Sequence, residues 1–218
     1  MLKYRCLVLD HDDTTVDSTR HVNYPMFREF IPTIRPDIHF TEEDYIRNCC
    51  DYGFYEMCQQ LLHYTPEEME LHVATWKEYL NTHKAPFFPG MPEIIQRQKA
   101  EGGLVCVVSH SFEDTIRPLY DHFSVTQPDL VFGAERPPHE RKPHPWPLEE
   151  IMRRYDLSPE DLIMVDDALQ GKDMAKACGV KFACAAWYGM PEHVKKQMAG
   201  VSDFFLSSVE ELSQLLFA

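Results

Sequence analysis

From residue 87 onward, short apolar runs alternate with segments of helical pattern, and this alternation restricts the fold more than any other feature. Such brief runs are typical of buried strands. The predicted strands are Cys6–Leu9, Leu104–Val108, Leu130–Phe132, Leu162–Val165, Val180–Ala186 and 203–206. Strands separated by helices favour a mainly parallel sheet with helices on both faces and right-handed crossovers. We therefore predict the α/β class, with a doubly wound, Rossmann-like sheet.

Residues 17–86 interrupt this pattern, because they contain helix starts and no convincing strand. The clearest start is at Thr65, which fits an N-cap, followed by Pro66 at the first helical position and Glu68 at the reciprocal site of a capping box. We predict a core domain of residues 1–16 and 87–218, with an all-helical domain of residues 17–86 inserted after the first strand.

Composition excludes some classes of partner. The formal net charge of -14 over 218 residues argues against a nucleic-acid or anionic-membrane surface. The seven cysteines show no CxxC spacing. Together with the lack of a signal-peptide pattern, this predicts reduced thiols and a cytoplasmic location. No apolar run approaches the length of a membrane span. We expect a monomer or a weak homodimer.

The first strand runs directly into an acidic segment that carries Asp10, Asp12, Asp13 and Asp17. Side chains alternate along an extended chain, so Asp10 and Asp12 are expected to face the same way and His11 the opposite way. Neighbouring carboxylates raise each other's pKa unless a cation or hydrogen-bond donors neutralise them. Mg²⁺ is a suitable partner, since it binds one or two carboxylates beside a substrate phosphate. A solvated acidic turn is the alternative interpretation.

Two further strands also end on polar residues, Ser109 after the second and the pair Asp166–Asp167 after the fourth. Ligands of parallel α/β sheets bind beyond the carboxyl ends of the strands. The three strand ends therefore predict one shared site.

In this order, the motifs resemble those of the haloacid dehalogenase-like hydrolase superfamily, whose members are mostly phosphatases. Asp10–Thr14 matches the first motif, DxDxT, Ser109 the second, Lys142 the third, and Asp166–Asp167 the fourth. The resemblance is to the branch that includes β-phosphoglucomutase and phosphoglycolate phosphatase. It implies that residues 17–86 form a helical cap. We expect this cap to move as a lid.

The resemblance also implies a mechanism. Asp10 would attack phosphorus and form an aspartyl-phosphate, and Asp12 would protonate the leaving oxygen and later activate water. The implied phosphate-binding residues are Ser109, His110 and Lys142. The implied ligands of Mg²⁺ are Asp10, Asp12 (through its backbone carbonyl), Asp166 and Asp167. The predicted function is Mg²⁺-dependent hydrolysis of a small phosphorylated metabolite.

Three positions depart from the common family pattern. Asp13 stands where the first motif usually has glycine. In the fourth motif Asp166 replaces a glycine, and Gly171 stands where a last aspartate is often found. An adjacent acidic pair followed by glycine is the variant of the β-phosphoglucomutase-like branch. We therefore expect Asp173 to be an exposed helix residue that does not bind metal.

Several alternatives remain open at this point. A phosphomutase of the β-phosphoglucomutase type shares the core motifs. The presence of Asp12 argues against a dehalogenase. It also argues against a phosphonoacetaldehyde hydrolase, in which Lys77 or Lys84 would form a Schiff base. A receiver-type signalling domain would carry its acidic pair on the first strand, and a non-catalytic scaffold would be free to lose motif residues. Within the cap, residues that can face the cleft are Tyr24, Arg28, Arg47, Tyr52 and Tyr55.

Overall fold

The computed structural model describes residues 2–218, and within them the chain forms one six-stranded parallel sheet. The strands are β1 (Cys6–Leu9), β2 (Leu104–Val108), β3 (Leu130–Phe132), β4 (Leu162–Asp166), β5 (Lys181–Ala185) and β6 (Phe204–Leu206). Their order across the sheet is β3-β2-β1-β4-β5-β6, so β1 lies between β2 and β4. The predicted doubly wound α/β fold is confirmed, and the strand bounds agree with the prediction to within one residue.

Helices connect the strands and form the insertion. They are α1 (Tyr24–Ile34), α2 (Glu42–Tyr52), α3 (Phe54–Glu56), α4 (Pro66–Thr82), α5 (Met91–Ala100), α6 (Glu113–His122), α7 (Trp146–Tyr155), α8 (Leu169–Cys178), α9 (Glu192–Val201) and α10 (Val209–Phe217). Single π-helical turns cover Thr19–Asn23 and Met57–Leu61. Short 3-10 turns cover Pro138–Glu140 and Pro159–Asp161. Among residues 2–218, none of the helices is both long and apolar enough to cross a membrane.

Both faces of the sheet are buried. In β1, Leu7 and Leu9 belong to one apolar cluster, with residues of α5, α6 and α10. Cys6 and Val8 belong to a second cluster, with residues of α7, α8 and α9. A strand covered on both faces is apolar at every position, which explains why these runs show no polar alternation. The fixed sheet holds the residues that follow each strand at one edge.

The insertion between β1 and α5 is helical from Thr19 to Thr82, apart from its short connecting loops. The capping box predicted for α4 is present: the Glu68 backbone N–H donates to Thr65 Oγ1 (3.2 Å) and Thr65 N–H donates to Glu68 Oε2 (2.9 Å). The insertion has its own apolar cluster, which includes Phe27 and Met57. That residues 17–86 act as a separate domain remains a prediction.

The insertion leaves and rejoins the core at neighbouring points. Val16 and Phe87 form an antiparallel bridge. Asp17 N–H donates to Pro86 O (2.9 Å), and Phe88 N–H donates to Thr15 O (3.1 Å). Because Val16 follows β1 by only a few residues, this double connection lies beside the carboxyl end of β1. The first turn of the insertion is therefore held close to the acidic segment.

Candidate active site

Asp10 and Asp166 lie side by side at the carboxyl edge of the sheet. Asp10 follows β1, and its backbone N–H donates to Val165 O (2.9 Å), which extends the pairing of β1 with β4. Asp166 is the last residue of β4 and its Oδ1 accepts from Ala168 N–H (2.9 Å). Both side chains are buried. The two predicted strand ends are thus brought together.

Lys142 joins these two carboxylates. It comes from the loop between β3 and α7, and its Nζ donates to Asp10 Oδ1 and to Asp166 Oδ2, each at 2.7 Å. Lys142 is itself buried. Burial alone lowers the pKa of a lysine, but here the two carboxylates outweigh it and hold the pKa of Lys142 above its usual value. The ammonium is therefore charged and fixed in place.

Asp167 adds a third carboxylate to this group. Within the part of the chain that the structure describes, Asp10, Asp166 and Asp167 form a cluster in which one carboxylate oxygen of each lies within 4.8 Å of the others. Burial raises the pKa of Asp10 and of Asp167 well above the usual value, and the neighbouring carboxylates raise both further. One ammonium faces three carboxylates, so the site has an excess of negative charge. An all-oxygen donor set with excess negative charge fits a hard divalent cation such as Mg²⁺.

Among the described residues, the Asp12 carboxyl group is not a member of this cluster. Its Oδ2 accepts a hydrogen bond from Ser111 Oγ (2.6 Å). The half-buried carboxyl group borders a cleft of about 270 Å³ between α4 of the insertion and α6 of the core. That the backbone carbonyl of Asp12 binds the metal stays a prediction. The carboxyl group of Asp12 lies at the edge of an open cleft, with one oxygen bonded to Ser111.

Ser109 and His110 follow β2, the neighbour of β1. Ser109 is buried, and its N–H donates to Phe132 O (2.9 Å). Its Oγ accepts from Ser111 N–H (3.0 Å). His110, the next residue, is exposed. Ser109 therefore lies on the same edge of the sheet as Asp10, whereas His110 is at the surface of the site.

Asp13, which stands where the first motif usually has glycine, is not a member of the carboxylate cluster among the described residues. Its backbone is left-handed (φ 57°). Its carboxylate accepts from the backbone N–H of Thr19 (2.8 Å), from the Thr19 hydroxyl and from Ser18 Oγ (3.5 Å). Burial raises the pKa of Asp13 to about 7, although the bonds from Thr19 act in the opposite direction. Hydrogen-bond donors at the start of the insertion therefore hold this carboxyl group in place.

Sequence reasoning missed several hydroxyl groups around the cluster. Thr15 Oγ1 donates to Asp10 O (2.6 Å), and Thr14 Oγ1 donates to Asp167 Oδ1 (3.3 Å). Trp187 Nε1 donates to Thr14 O (3.1 Å). Ser111 was missed as well. The sequence feature that could have indicated these hydroxyl groups is the high number of Ser and Thr residues directly after the strand-end motifs.

The aromatic and basic residues named for the cap do not line the cleft beside Asp12. Tyr24, for example, donates to Phe40 O (3.1 Å), and Tyr52 is exposed on the surface. Residues of α4 and the chain after it form the insertion's wall, and they include Trp76, Lys77, Leu80, Asn81 and Lys84. Lys77 Nζ donates to Asp114 Oδ2 (2.9 Å) on the facing helix α6. As predicted, Asp173 is exposed on α8.

Comparison with known proteins gives relatives that cover either part or all of the chain. A phosphoglycolate phosphatase from Thiobacillus denitrificans is 28% identical over 116 residues, which are 50% of this chain and 48% of that protein. The chain thus spans about half the length of this relative. A phosphoglycolate phosphatase from Aquifex aeolicus is 24% identical over 218 residues, covering 97% of this chain and 96% of that protein.

A solved structure shares the fold over almost the whole length. CbbY from Rhodobacter sphaeroides, in complex with phosphate, superposes with a TM-score of 0.75 at 20% identity, covering 97% of this chain and 96% of that one. The family model described as haloacid dehalogenase-like hydrolase matches residues 7–185, from β1 to the end of β5. The chain therefore belongs to the haloacid dehalogenase-like hydrolase family, and the prediction that it is an enzyme of this family is confirmed.

Proposed function

We propose that the protein is a Mg²⁺-dependent phosphatase that hydrolyses a small phosphomonoester through an aspartyl-phosphate on Asp10. The observation that carries this proposal is the position of Lys142, whose Nζ lies 2.7 Å from both Asp10 Oδ1 and Asp166 Oδ2. A buried ammonium beside a carboxylate nucleophile is suited to a substrate that brings negative charge of its own. Phosphoryl oxygens carry such charge.

The first half of the reaction transfers the phosphoryl group to the protein. A carboxylate oxygen of Asp10 attacks phosphorus, and the bond between phosphorus and the ester oxygen breaks. Asp12, in its protonated form, gives its proton to that oxygen, so that a neutral alcohol leaves. The Lys142 ammonium and the Ser109 hydroxyl stabilise the charge on the phosphoryl oxygens.

The second half returns Asp10 to its starting state. A water molecule attacks phosphorus while the ionised Asp12 accepts its proton. The bond between phosphorus and the Asp10 oxygen then breaks, and inorganic phosphate leaves. The side chains of Asp10, Asp166 and Asp167 and the backbone carbonyl of Asp12 would hold Mg²⁺, which supplies positive charge for the phosphoryl oxygens.

The cleft between α4 and α6 supports a small leaving group. Asp12 must reach the ester oxygen, so the alcohol is expected on the Asp12 side of the site, where a cleft of about 270 Å³ is available. Its wall combines apolar side chains, such as Val22 and Leu119, with the polar side chain of Asn81. Since two relatives are named phosphoglycolate phosphatase, 2-phosphoglycolate is the first compound to test.

Hydrolysis is favoured over a mutase reaction by the distribution of cations in the cap. A mutase retains a bisphosphate and needs a second phosphate site, for which clustered Arg or Lys side chains are suited. Residues 48–76 contain no Lys or Arg. Lys77 and Lys84 do border the cleft, but Lys77 is paired with Asp114 and the Lys84 ammonium donates to Leu80 O.

The test is a panel of phosphate esters assayed for free phosphate with and without Mg²⁺. We expect release of phosphate from at least one ester, and no turnover by Asp10→Asn, because an amide is a poor nucleophile. Asp173→Asn, an exposed change on α8, is the matched control and should retain wild-type rates. Near-wild-type activity of Asp10→Asn would refute the covalent mechanism. Conversion of β-glucose 1-phosphate to glucose 6-phosphate, given a trace of bisphosphate, would favour the mutase.

A further inference from the structure

Ser111 lies between two residues to which the proposed reaction gives different tasks. Its hydroxyl donates to Asp12 Oδ2 at 2.6 Å, and its backbone N–H donates to Ser109 Oγ at 3.0 Å. We infer that Ser111 is a positioning residue that holds the Asp12 carboxyl group for proton transfer to the leaving oxygen. This inference rests on the proposed phosphatase reaction.

The backbone of Ser111 is well fixed. Ser111 O accepts from Ala134 N–H (2.9 Å), in the loop that follows β3. Gly133 packs so closely against this segment that a Cβ there would lie 2.7 Å from Ser111 O. Ser111 itself is buried. A side chain held by its backbone in this way can orient a partner, because it does not move with that partner.

The hydroxyl group suits both protonation states of Asp12. It can donate to the ionised carboxylate, or accept from the protonated carboxyl group after rotating its O–H. Asp12 changes between these two states once in each half of the proposed reaction. Asp12 Oδ1 accepts no hydrogen bond from any residue between 2 and 218. With Oδ2 held by Ser111, this second oxygen is available to the substrate.

The hydrogen bond from Ser111 also fixes the orientation of the Asp12 carboxyl group at the cleft. Asp12 and Ser111 both border the cleft between α4 and α6. Without the Ser111 hydroxyl, the Asp12 side chain is free to adopt other rotamers. The expected defect is therefore specific to steps in which Asp12 transfers a proton.

The experiment compares two esters whose leaving groups differ in their need for a proton. Phenyl phosphate has the more basic leaving oxygen, whereas p-nitrophenyl phosphate leaves readily as the anion. The parameter is kcat/KM, since it reports the steps up to formation of the phosphoenzyme. For Ser111→Ala we expect kcat/KM for phenyl phosphate to fall by about 10- to 100-fold, which is part of the usual contribution of a positioned acid. For p-nitrophenyl phosphate we expect kcat/KM to fall by less than about threefold.

Two controls make the result specific. Ser111→Thr retains the hydroxyl and should restore most of the activity on phenyl phosphate. Ser202→Ala removes a hydroxyl that donates to Met198 O at the end of α9, and should change kcat/KM for neither ester. If Ser111→Ala does not fold, Ser111→Cys serves instead, because a thiol fills the space but donates weakly.

Equal losses with both esters, or no loss with either, would overturn the assignment of Ser111. A wild-type protein that hydrolyses neither phenyl phosphate, p-nitrophenyl phosphate nor any other ester of the panel is a separate result. It would refute the phosphatase activity itself.

Discussion

Gly171 of α8 lies directly against the carboxyl group of Asp166 at the end of β4. A Cβ on Gly171 would lie 2.7 Å from the Cβ of Asp166 and would overlap its Oδ2. That Oδ2 is the oxygen that accepts from Lys142. The two departures from the common fourth motif are therefore linked, because an acidic residue at position 166 requires a residue without a side chain at position 171.

Gly171→Ala should displace Asp166 and break its bond to Lys142. We expect the free energy of unfolding to fall by about 1–3 kcal/mol, the usual cost of overpacking. Phosphatase activity should fall by about 10²-fold, because catalytic groups tolerate little displacement. Gly200→Ala in α9 is the matched control, since no atom lies within 4 Å of its Cβ position. It should be neutral or stabilise by up to about 1 kcal/mol. Equal effects of the two changes would contradict this explanation.

Mg²⁺ should raise the thermal stability of the protein, because a ligand that binds only the folded state stabilises it. At a free concentration 100 times the Kd the gain is about 2.7 kcal/mol. Asp167→Asn should lose most of this gain, whereas Asp173→Asn, changed at an exposed position of α8, should retain it. Differential scanning calorimetry with and without Mg²⁺ measures both. Full activity in excess EDTA would show that the carboxylate cluster needs no metal.

His72 should make the protein sensitive to acid. It is buried among the cap aromatics Phe30, Phe54 and Tyr64, and burial lowers its pKa from 6.5 to about 4. Between these values the unfolded chain binds a proton that the folded chain does not, so the free energy of unfolding falls as the pH falls. The loss is about 2 kcal/mol between pH 7.5 and pH 5.

Urea unfolding at the two pH values tests this dependence on His72. His72→Phe should abolish that part of the pH dependence. His139→Gln, at an exposed histidine, should leave it unchanged. An unchanged pH dependence in His72→Phe would mean that other groups cause it.

Lys77 and Asp114 should hold the cap against the core without contributing much to global stability. This pair joins α4 to α6 at a partly exposed position, where ion pairs are worth less than about 1 kcal/mol. We expect Lys77→Met to increase hydrogen exchange in residues 66–82 several-fold, if the cap opens as a lid. Asp114→Asn should increase hydrogen exchange in the same residues by a similar factor. The double variant should show no larger increase than either single variant.

The control for this pair is Lys195→Met, which removes an ion pair within α9. It should leave hydrogen exchange in residues 66–82 at the wild-type rate. Unchanged exchange in Lys77→Met as well would argue against a lid that this contact restrains.

The features that sequence predicts well here are those set by local pattern. β1 and β4 are recognisable because both of their faces are buried, and Asp10 and Asp166 are recognisable because they end those strands. Thr65 marks the start of α4 by its capping box. Parallel strands bring their carboxyl ends to one edge, so the proximity of the two aspartates follows from topology alone.

Other features depend on contacts between distant segments, and sequence does not indicate them. Ser111 meets Asp12 across 99 positions of the chain. Asp13 stands in the same acidic segment as Asp10, yet its partner is Thr19, which is reached through a left-handed backbone turn. The insertion's wall of the cleft combines residues of α4 with Val22 and Asn23, which precede α1. Tertiary packing decided each of these.

The antiparallel bridge between Val16 and Phe87 has a consequence for protein design. Asp17 and Pro86 are hydrogen-bonded neighbours, so the chain before and after the cap forms the two arms of a hairpin whose loop is the cap itself. A tight turn of a few residues can close such a hairpin. We therefore expect that the insertion can be replaced as a unit, with the junctions at these two hydrogen-bonded positions and with β1 and α5 left in place.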